Sequence, residues 1–582
     1  MKVAGMHVAG FRSIASNGVY VSFLDGDAIF VFGRNNAGKT SILKAYEFFC
    51  NAKSKPQRSD FYNFMHGDAL DIEIELIFSV KDGEDRQKLA DGNLEKWISP
   101  DGFVRIRKVW SEVGGQGVKY TYDPRADAFV KGGFGGFDTL VSHYAPTPVY
   151  IPPVATEDDL KKIVGDILKK HIAQKLKDEC GEILDRADAA FRELEEAVSV
   201  MDETAKVNTL ANEYFQKIFP DHALKISSAN AGDGRLETLL SKSFDVTVVN
   251  ERLAEEQQPL SSQGDGVVRQ AIFNFIGIVK NRELIEGFAN GGDRKGFLIL
   301  FEEPEVYLHP SKMRLMREKL YSIVTNSPFQ LLCASHSPQL IDLSKKHTSL
   351  VRITKNDEIT EYYQAGEQLF APDKDAKDFM HMLMNFDPHI CEVFFADNVI
   401  LVEGDTEAIV LRSLLEDSEE HREVFVLNTG TKNNIPFFQN VLTHFGIKHT
   451  VIHDADLRYQ YKHGQISRKG DGEPKANSAW TLNAKIWENI VASNSQKEGL
   501  ARRYVHIVDF ESAHGYSYDA NEGKPFSAFK FGKLLDKGGD QPVVQFSRDM
   551  LKEVSDLDEA SQEWIEVNVD EEYWARVKGL IS

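Results

Sequence analysis

A glycine-rich loop between an apolar strand and a helix is the feature that most constrains this chain. The run AIFVF comes directly before GRNNAGKTS, and a helical pattern covers residues 40–49. In this order of elements, backbone N–H groups can close around phosphate oxygens while the helix N-terminus adds a favourable dipole. We expect Lys39 to reach the β- and γ-phosphates and the Thr40 hydroxyl to hold Mg²⁺. The predicted nucleotide-binding residues of the loop are Gly33, Asn35, Asn36, Gly38, Lys39, Thr40 and Ser41.

The carboxylates that such a loop needs lie far along the chain. An apolar strand over residues 297–301 runs into Glu302 and Glu303, of which the first can hold Mg²⁺ and the second can polarise the attacking water. Another apolar strand ends before His336, which is placed to sense the γ-phosphate; alternatively, Ser335 or Ser337 there caps a helix. These spacings predict a P-loop ATPase interrupted by an insertion, because Lys39 and Glu303 are 264 residues apart.

The inserted segment differs from its surroundings in composition and in the spacing of its apolar residues. From residue 156 to about 219 it is rich in Lys and Glu, and its apolar residues recur at helical spacing. This pattern predicts two or more amphipathic helices. They form either a solvated surface hairpin or a dimerisation element.

A second set of candidate residues follows three apolar strands in the last third of the chain. They are Glu403 with Glu407, Asp454 with Asp456, and Asp509 with Glu511. Residues two apart on a strand point to one side, so we expect Asp454 and Asp456 to share a face, and Asp509 and Glu511 have the same spacing. Ligand sites in open α/β sheets lie outside the carboxyl ends of the strands, where these carboxylates fall. They repel one another unless hard divalent cations lie between them, so the pattern predicts a metal site.

The two sets of motifs resemble known families. Separated P-loop motifs, the FRS segment at 11–13 and the segments EEPEVYLHP and SHSPQLI resemble the ABC/SMC-like ATPases. In that family a serine–glycine signature loop from one subunit completes the site of another; LSSQGDG, with Ser262 and Gly264, matches it and departs from the usual LSGGQ. The EG…DxD arrangement resembles the Toprim domain. An SMC-like ATPase followed by Toprim is similar to the OLD (overcoming lysogenization defect) family of ATP-dependent nucleases.

The resemblance implies a fold, cofactors and roles for particular residues. The fold is α/β: an ABC/SMC-like P-loop ATPase with an inserted helical dimerisation element, followed by a Rossmann-like Toprim domain. The resemblance implies ATP with one Mg²⁺ in the ATPase site. It also implies two Mg²⁺ or Mn²⁺ ions in the Toprim site, held by the carboxylates named above, which would hydrolyse a phosphodiester bond. OLD nucleases also need a lysine after the last acidic motif, and Lys524 matches best, with Lys530 and Lys533 as competitors.

The resemblance also implies partners. DNA is the expected substrate and a homodimer or higher homo-oligomer the expected assembly. A helicase or a retron reverse transcriptase with its small DNA is an expected companion in anti-phage defence. After Asp456, basic and aromatic residues in the loop over 458–475 either track a DNA backbone or form a solvated loop.

Two other functions share parts of these motifs. A topoisomerase would need an activated tyrosine; Tyr516 and Tyr518 are the nearest in sequence, but nothing in the sequence marks either as activated, and the strand-passage domains are missing. An SMC/RecF-like structural or repair ATPase would carry the same motifs with a vestigial acidic cluster. Metal binding separates the latter from a nuclease.

Composition agrees with a multidomain protein of the cytoplasm. The formal net charge of −21 excludes a generally basic nucleic-acid coat, and four scattered cysteines without a CxxC pair indicate neither disulfides nor a zinc cluster. No apolar run has the length of a membrane helix or a signal peptide, so no membrane association is expected. The predicted domains are an ATPase part over 1–155, the helical insertion over 156–230, a second ATPase part over 231–345, a connector over 346–395 and the Toprim domain over 396–582.

Overall fold

The computed structural model divides into two compact units, Met1–Glu367 and Gln368–Ser582. It describes residues 1–64, 71–80, 94–132, 140–154, 202–216, 223–228, 244–249, 257–259, 296–325, 329–342, 348–356, 359–365, 388–416, 423–536, 538–551 and 561–581, with isolated positions between these ranges. No described helix is long and apolar enough to span a membrane.

The first unit contains an antiparallel sheet of six strands. Numbered in chain order and given in spatial order, they are β2 (Val19–Ser22), β1 (Lys2–Ala9), β4 (Ile72–Ser79), β5 (Phe103–Trp110), β6 (Val118–Asp123) and β7 (Ala128–Lys131). Apolar residues alternate along β4 and β5, and their buried face includes Ile74 and Ile106.

A second six-stranded sheet carries the P-loop. In spatial order its strands are β15 (Ile359–Ala365), β14 (Thr348–Asn356), β3 (Ala28–Phe32), β13 (Gln330–Ala334), β12 (Phe297–Glu302) and β8 (Thr147–Ile151). All neighbours are parallel except β14 and β15. The central strands β3, β12 and β13 are almost wholly buried, as continuous apolar runs predict for a sheet covered on both faces.

The two sheets share one core. Buried side chains from both pack together, and the buried amide of Gln330 joins them by accepting from the N–H of Val3 at 2.7 Å and donating to its carbonyl at 2.8 Å. Besides several short helical turns, the unit contains α1 (Lys39–Cys50), α2 (Asp202–Phe215), α3 (Pro310–Val324) and a small sheet of β9 (Ala223–Ser228), β10 (Phe244–Val249) and β11 (Gln257–Pro259).

The second unit is built on a parallel four-stranded sheet. Its strands, in spatial order, are β17 (Phe425–Asn428), β16 (Asn398–Val402), β18 (Lys448–Asp454) and β21 (Ala501–His506). A two-stranded hairpin of β19 (Tyr461–Lys462) and β20 (Gln465–Ile466) follows β18. The helices are α4 (Asp405–Leu415), α5 (Ile435–His444), α6 (Ser478–Gln496), α7 (Phe510–His514), α8 (Lys524–Leu534), α9 (Pro542–Leu551), α10 (Gln562–Asn568) and α11 (Glu571–Val577).

The structure differs from the predicted connector over 346–395. Residues Thr348–Asn356 and Ile359–Ala365 form β14 and β15, and β14 pairs with the P-loop strand β3. The first unit therefore extends to Glu367. The alternation of apolar residues in SLVRI was too short to separate a sheet strand from a linker.

Much of the predicted helical insertion lies outside the described residues. Within 156–230 the structure describes α2 and β9, which pack against each other, and a turn at its start. In that turn the hydroxyl of Thr156 and the carboxylate of Asp159 exchange the hydrogen bonds of a capping box. The dimerisation role stays a prediction.

Candidate functional site

The P-loop follows β3 and bends where only glycine fits. Gly33 has a φ of 148°, and a Cβ there would lie 2.1 Å from the carbonyl oxygen of Ile353. Gly38, with a φ of 118°, precedes the first residue of α1. The loop therefore presents the N-terminus of a twelve-residue helix to any ligand above the sheet.

Lys39 is buried and lies back over the loop. Its ammonium group donates to the carbonyls of Gly33 at 2.9 Å and of Arg34 at 2.8 Å. Burial lowers the pKa of Lys39 to about 8, although the charges of Glu303 and Glu302 act in the opposite direction. An anionic phosphate would restore the usual pKa by stabilising the charged form.

The first carboxylate after β12 meets the P-loop directly. The hydroxyl of Thr40 donates to one carboxylate oxygen of Glu302, and the hydroxyl of Tyr150, at the end of β8, donates to the other. Burial and the hydrogen bond to Glu302 raise the pKa of Tyr150 far above its usual value. The fold thus joins the hydroxyl and the carboxylate that the sequence predicts as Mg²⁺ ligands, and it adds Tyr150, which no motif indicated.

Glu303 and His336 face each other beside this pair. Nε2 of His336 lies 3.5 Å from a carboxylate oxygen of Glu303. Burial, followed by the charge of Lys39, lowers the pKa of His336 and favours the neutral imidazole. The side chain of Glu305 holds this turn by accepting from the N–H of His336 at 2.6 Å and from the hydroxyl of Ser335 at 3.0 Å. Ser337 precedes a short helical turn, but its side chain makes no capping hydrogen bond.

The structure describes Ser41 but not the predicted signature residues. The hydroxyls of Ser41 and Ser13 lie 2.7 Å apart, which ties the FRS segment to α1. Ser262 and Gly264 lie outside the described residues, so their role stays a prediction.

The second site lies at the carboxyl ends of β16, β18 and β21. Glu403 follows β16, and one of its oxygens accepts from the N–H of Asp454 at 2.8 Å. Asp454 ends β18, and it accepts from the N–H of Phe510 at 2.9 Å. The parallel register thus brings together three chain segments that are far apart in sequence.

A buried lysine that sequence reasoning missed lies within this cluster. Nζ of Lys432 is 2.6 Å from Asp456 and 4.0 Å from Glu403, and it also donates to the carbonyl of Asp454. Lys432 belongs to the short helical turn Lys432–Asn434 after β17, and its side chain is 5% exposed. The neighbouring Gly430 and Asn434 mark a turn, which was the only sequence signal.

The carboxylates of the cluster strongly perturb one another. Burial raises the pKa values of Glu403 and Asp454, and their negative neighbours raise them further, against the opposing charge of Lys432. Burial first, and Asp454 second, raise the pKa of Glu407 to about 7. Glu407 lies in the first turn of α4, where the sequence placed it.

The prediction that Asp454 and Asp456, and likewise Asp509 and Glu511, share one side of a strand is wrong. Asp456 has a φ of 63°, beyond the end of β18, so the two-residue alternation does not apply to it. Asp509 lies after β21 as the N-cap of α7, and Glu511 is in the first turn of that helix. In both segments the strand has ended before the second carboxylate.

Asp509 and Glu511 contact different lysines. Asp509 accepts from the N–H of Ser512 at 2.9 Å and forms an ion pair with Lys578, which sequence reasoning missed. Lys524 lies 3.4 Å from Glu511. The competitors Lys530 and Lys533 lie farther along α8, where Lys530 pairs with Glu522 at 2.5 Å and Lys533 lies over the ring of Phe529 at 4.4 Å.

The residues of the cluster fit a hard divalent cation by chemistry. All the donors are carboxylate oxygens, which hard divalent cations prefer. Burial, and then the neighbouring carboxylates, raise the pKa values of Glu403, Glu407 and Asp454, and a bound cation would favour their charged forms. Among the described residues no three His, Cys, Asp or Glu side chains are preassembled as a ligand group. One oxygen each of Glu403 and Asp454 accepts from a backbone N–H group and one oxygen of Asp456 accepts from Lys432, so a cation would use the other oxygens or displace these contacts.

Comparisons with known proteins agree with the division of the chain into an ATPase unit and a Toprim unit. Residues 394–456 match the family described as "Overcoming lysogenization defect protein-like, TOPRIM domain", and residues 154–341 match an AAA ATPase domain. The chain is 23% identical to the Old nuclease of Escherichia phage P2, over 78% of each chain. It is 27% identical to the OLD nuclease of Thermus scotoductus, over 44% of this chain and 47% of that protein.

Two further likenesses were found. The endonuclease GajA of Bacillus cereus VD045 is 21% identical, over 79% of this chain and 75% of that protein. A crystal structure of an Smc head bound to the C-terminal winged-helix domain of ScpA covers 63% of this chain and 98% of that chain, with 13% identity and a TM-score of 0.41.

The chain is similar to nucleases of the OLD family. Its two domains make it an ATPase and a nuclease. The P-loop ATPase domain and the C-terminal Toprim domain that the sequence predicted are both confirmed.

The loop after Asp456 is held by helix α11. The carboxylate of Glu571, at the start of α11, accepts from the N–H groups of Arg458 and Tyr459 at 2.7 and 3.1 Å, and from the hydroxyl of Tyr461 at 2.9 Å. Beside it lies a cavity of about 420 Å³ that reaches from Asp456 to Lys578. The loop is therefore an ordered wall of the acidic site.

Neither tyrosine that a topoisomerase would need resembles an activated nucleophile. Tyr516 is buried, its hydroxyl has no hydrogen-bond partner, and burial raises its pKa. Tyr518 is exposed, with the ammonium of Lys524 5.3 Å from its ring centroid.

Proposed function

We propose that this protein is an ATP-regulated, divalent-metal-dependent DNA endonuclease or nickase of the OLD type. One observation carries the proposal: Glu403, Asp454 and Asp456 converge at the carboxyl ends of parallel strands around the buried ammonium of Lys432. A structural role needs no such concentration of buried charge, because buried carboxylates are costly unless they are paired or bind metals.

The chemistry assigned to this site is hydrolysis of a phosphodiester bond. Glu403, Glu407, Asp454, Asp456 and Glu511 would hold two Mg²⁺ or Mn²⁺ ions, which supply Lewis acidity and lower the pKa of bound water. Asp509 is a weaker candidate for a ligand, because its two carboxylate oxygens already serve the α7 N-cap and Lys578.

A lysine is assigned to charge stabilisation in the transition state. Lys524 lies 3.4 Å from Glu511 and its side chain is 56% exposed, whereas Lys578 pairs with Asp509 and lines the cavity. Lys432 is too deeply buried to follow a leaving oxygen and instead orients the carboxylates. Lys524 stays the first choice, and Lys578 is the alternative that the structure adds.

The ATPase unit is assigned a controlling role. Lys39, Thr40 and Glu302 would hold ATP and one Mg²⁺, Glu303 would polarise the attacking water, and His336 would sense the γ-phosphate. Ser262 and Gly264 of a second copy would complete the site by the family pattern, so the active form is a homodimer or a higher homo-oligomer.

The biological setting follows from the family resemblance. We assign the enzyme to anti-phage defence in the cytoplasm, with DNA as substrate and with a helicase or a retron reverse transcriptase and its small DNA as candidate companions. Relatives named endonuclease GajA and Old nuclease support the nuclease part of this assignment.

Cleavage of supercoiled plasmid tests the proposal. The full chain is incubated with Mg²⁺ or Mn²⁺, with and without ATP, beside Glu403→Ala and the control Glu488→Ala, which removes an exposed carboxylate of α6. We expect nicking or linearisation by the wild type and the control, none by Glu403→Ala, and unchanged ATP hydrolysis in all three. Equal cleavage by Glu403→Ala would remove the assignment.

The lysine assignment is tested in the same assay. We expect Lys524→Ala to lower the cleavage rate by at least about 100-fold while metal binding is retained, as for other lost electrostatic contacts to a transition state. If Lys578→Ala has that effect and Lys524→Ala does not, the role belongs to Lys578.

Metal titration separates this enzyme from a structural ATPase with a vestigial cluster. Calorimetry with Mn²⁺ should give binding that Asp454→Ala abolishes. A cluster without metal affinity, together with intact DNA binding, would favour the structural ATPase.

A further inference from the structure

Helix α8 exposes apolar side chains that a helix usually buries. Phe526 and Phe529 are 49% and 45% exposed, and their rings are stacked with centroids 6.4 Å apart. The buried residues of the helix are small, namely Ser527, Ala528 and Gly532, and the partly buried Phe531 packs beside them. A Cβ at Gly532 would lie 3.3 Å from the side chain of Ser413 on α4, so close packing fixes which side of α8 faces outward.

Lysines accompany each exposed ring. The ammonium of Lys530 lies 4.7 Å from the ring centroid of Phe526, and that of Lys533 lies 4.4 Å from that of Phe529. Lys524 stands in the same relation to Tyr518 at 5.3 Å. These three lysine–aromatic pairs are called the α8 face below. On a chain with a net charge of −21, such a local concentration of cations beside aromatic rings indicates an anionic, flat partner.

The α8 face begins at the acidic site. Lys524 is 3.4 Å from Glu511, and the other two pairs follow along the helix. A strand that leaves the acidic site along α8 would meet a ring and a cation at each step. Rings stack on bases only where the bases are unpaired, because the faces of bases in a duplex are covered by their neighbours.

We propose that the α8 face binds an unpaired segment of the DNA strand beside the cleavage site, with bases stacked on Phe526 and Phe529 and phosphates contacting Lys530 and Lys533. The proposal rests on the nuclease function above and names the form of its substrate. Because Glu522 pairs with Lys530, a phosphate there must displace or bridge that carboxylate.

Equilibrium binding without cleavage tests the proposal. Fluorescence anisotropy is measured for the full chain in EDTA with a labelled oligothymidylate and with a labelled hairpin duplex. The variants are Phe526→Ala/Phe529→Ala and Lys530→Ala/Lys533→Ala. The matched controls are Val491→Ala and Lys485→Ala on α6, whose side chains are 49% and 57% exposed.

The two variants should differ in their signatures. The loss of both rings should weaken oligothymidylate binding by at least about tenfold and duplex binding by less than about twofold, since each stacked base contributes separately. The lysine variant should weaken binding of both probes. For the oligothymidylate, the slope of log affinity against log salt concentration should become shallower by about 1–1.5, since two phosphate contacts are lost. Phe526→Tyr/Phe529→Tyr should keep single-strand binding, whereas replacement of both rings by Leu should lose it.

Three outcomes would overturn the proposal. One is an unchanged single-strand affinity in the ring variant, and another is an equal loss on both probes. The third is a change of molecular mass in sedimentation without a change in DNA affinity, which would make the α8 face a contact between copies. Failure of plasmid cleavage alone refutes the nuclease proposal and leaves this binding result readable.

Discussion

Lys432 gives the sharpest test of how the acidic site is held together. Its ammonium is 2.6 Å from Asp456 and 4.0 Å from Glu403, and its side chain is 5% exposed. Removal of one member of a buried ion pair costs about 3–5 kcal/mol, because the remaining charge stays desolvated. The substitution Lys432→Met keeps the length of the side chain and removes the charge.

We expect Lys432→Met to lower the free energy of unfolding of the second unit by about 3 kcal/mol in EDTA at pH 8. For a unit of this size that corresponds to a melting temperature lower by about 6–12 °C. The cost should shrink toward pH 6, because Glu403 and Asp454, whose pKa values are already raised, can then take up protons.

The stability of Lys432→Met should also depend more strongly on bound metal than that of the wild type. Without the lysine, the carboxylates keep uncompensated charge, and a cation that binds only the folded state stabilises it by mass action. Saturating Mg²⁺ or Mn²⁺ should therefore raise the melting temperature of Lys432→Met by more than that of the wild type. Calorimetric melts measure both, with Lys485→Met as the exposed control. An unchanged melting temperature in EDTA, or a smaller metal response than in the wild type, would refute the reasoning.

Three further predictions follow from the two sites. Burial raises the pKa of Glu407 to about 7 from an ordinary 4.5, so the folded state binds a proton that the unfolded state releases between these values. Stability in EDTA should therefore fall by about 3 kcal/mol as the pH rises from 4.5 to 8, and Glu407→Gln should flatten this dependence in chemical denaturation. Lys39→Ala should abolish ATP hydrolysis while plasmid cleavage without ATP is retained; normal turnover in a phosphate-release assay would contradict the P-loop assignment. Tyr150→Phe removes the hydroxyl that donates to Glu302, and we expect the Mg²⁺ concentration for half-maximal ATP hydrolysis to change. Tyr46→Phe, which removes a hydroxyl that donates to the carbonyl of Pro146, should stay like the wild type.

Contiguous motifs were predictable because their function depends on local spacing. The P-loop needs glycines at fixed positions before a helix, and Gly33 and Gly38 adopt positive φ values where the pattern placed them. Apolar runs such as 398–402 and 297–301 were sufficient to place central strands, because a strand buried on both faces has no polar alternation. The carboxylates at strand ends followed from the same rule.

Residues that act through tertiary contacts were not predictable. Lys432, Tyr150 and Lys578 belong to no motif, and each meets its carboxylate only because neighbouring strands or helices bring distant segments together. β14 and β15 are strands because β3 offers an open edge for pairing, which their own sequences do not reveal.

The sequence by itself determined the two domains, the phosphate loop and the identity of the acidic residues, since these depend on residue type and spacing along one segment. Only the tertiary structure decided which charges balance one another. The balance at Asp454 depends on Lys432 and on the main chain at Phe510, which are separate in sequence and adjacent only in the folded sheet. The exposure of Phe526 and Phe529 was likewise decided by packing, because the small residues of α8 fit against α4 and turn the rings outward.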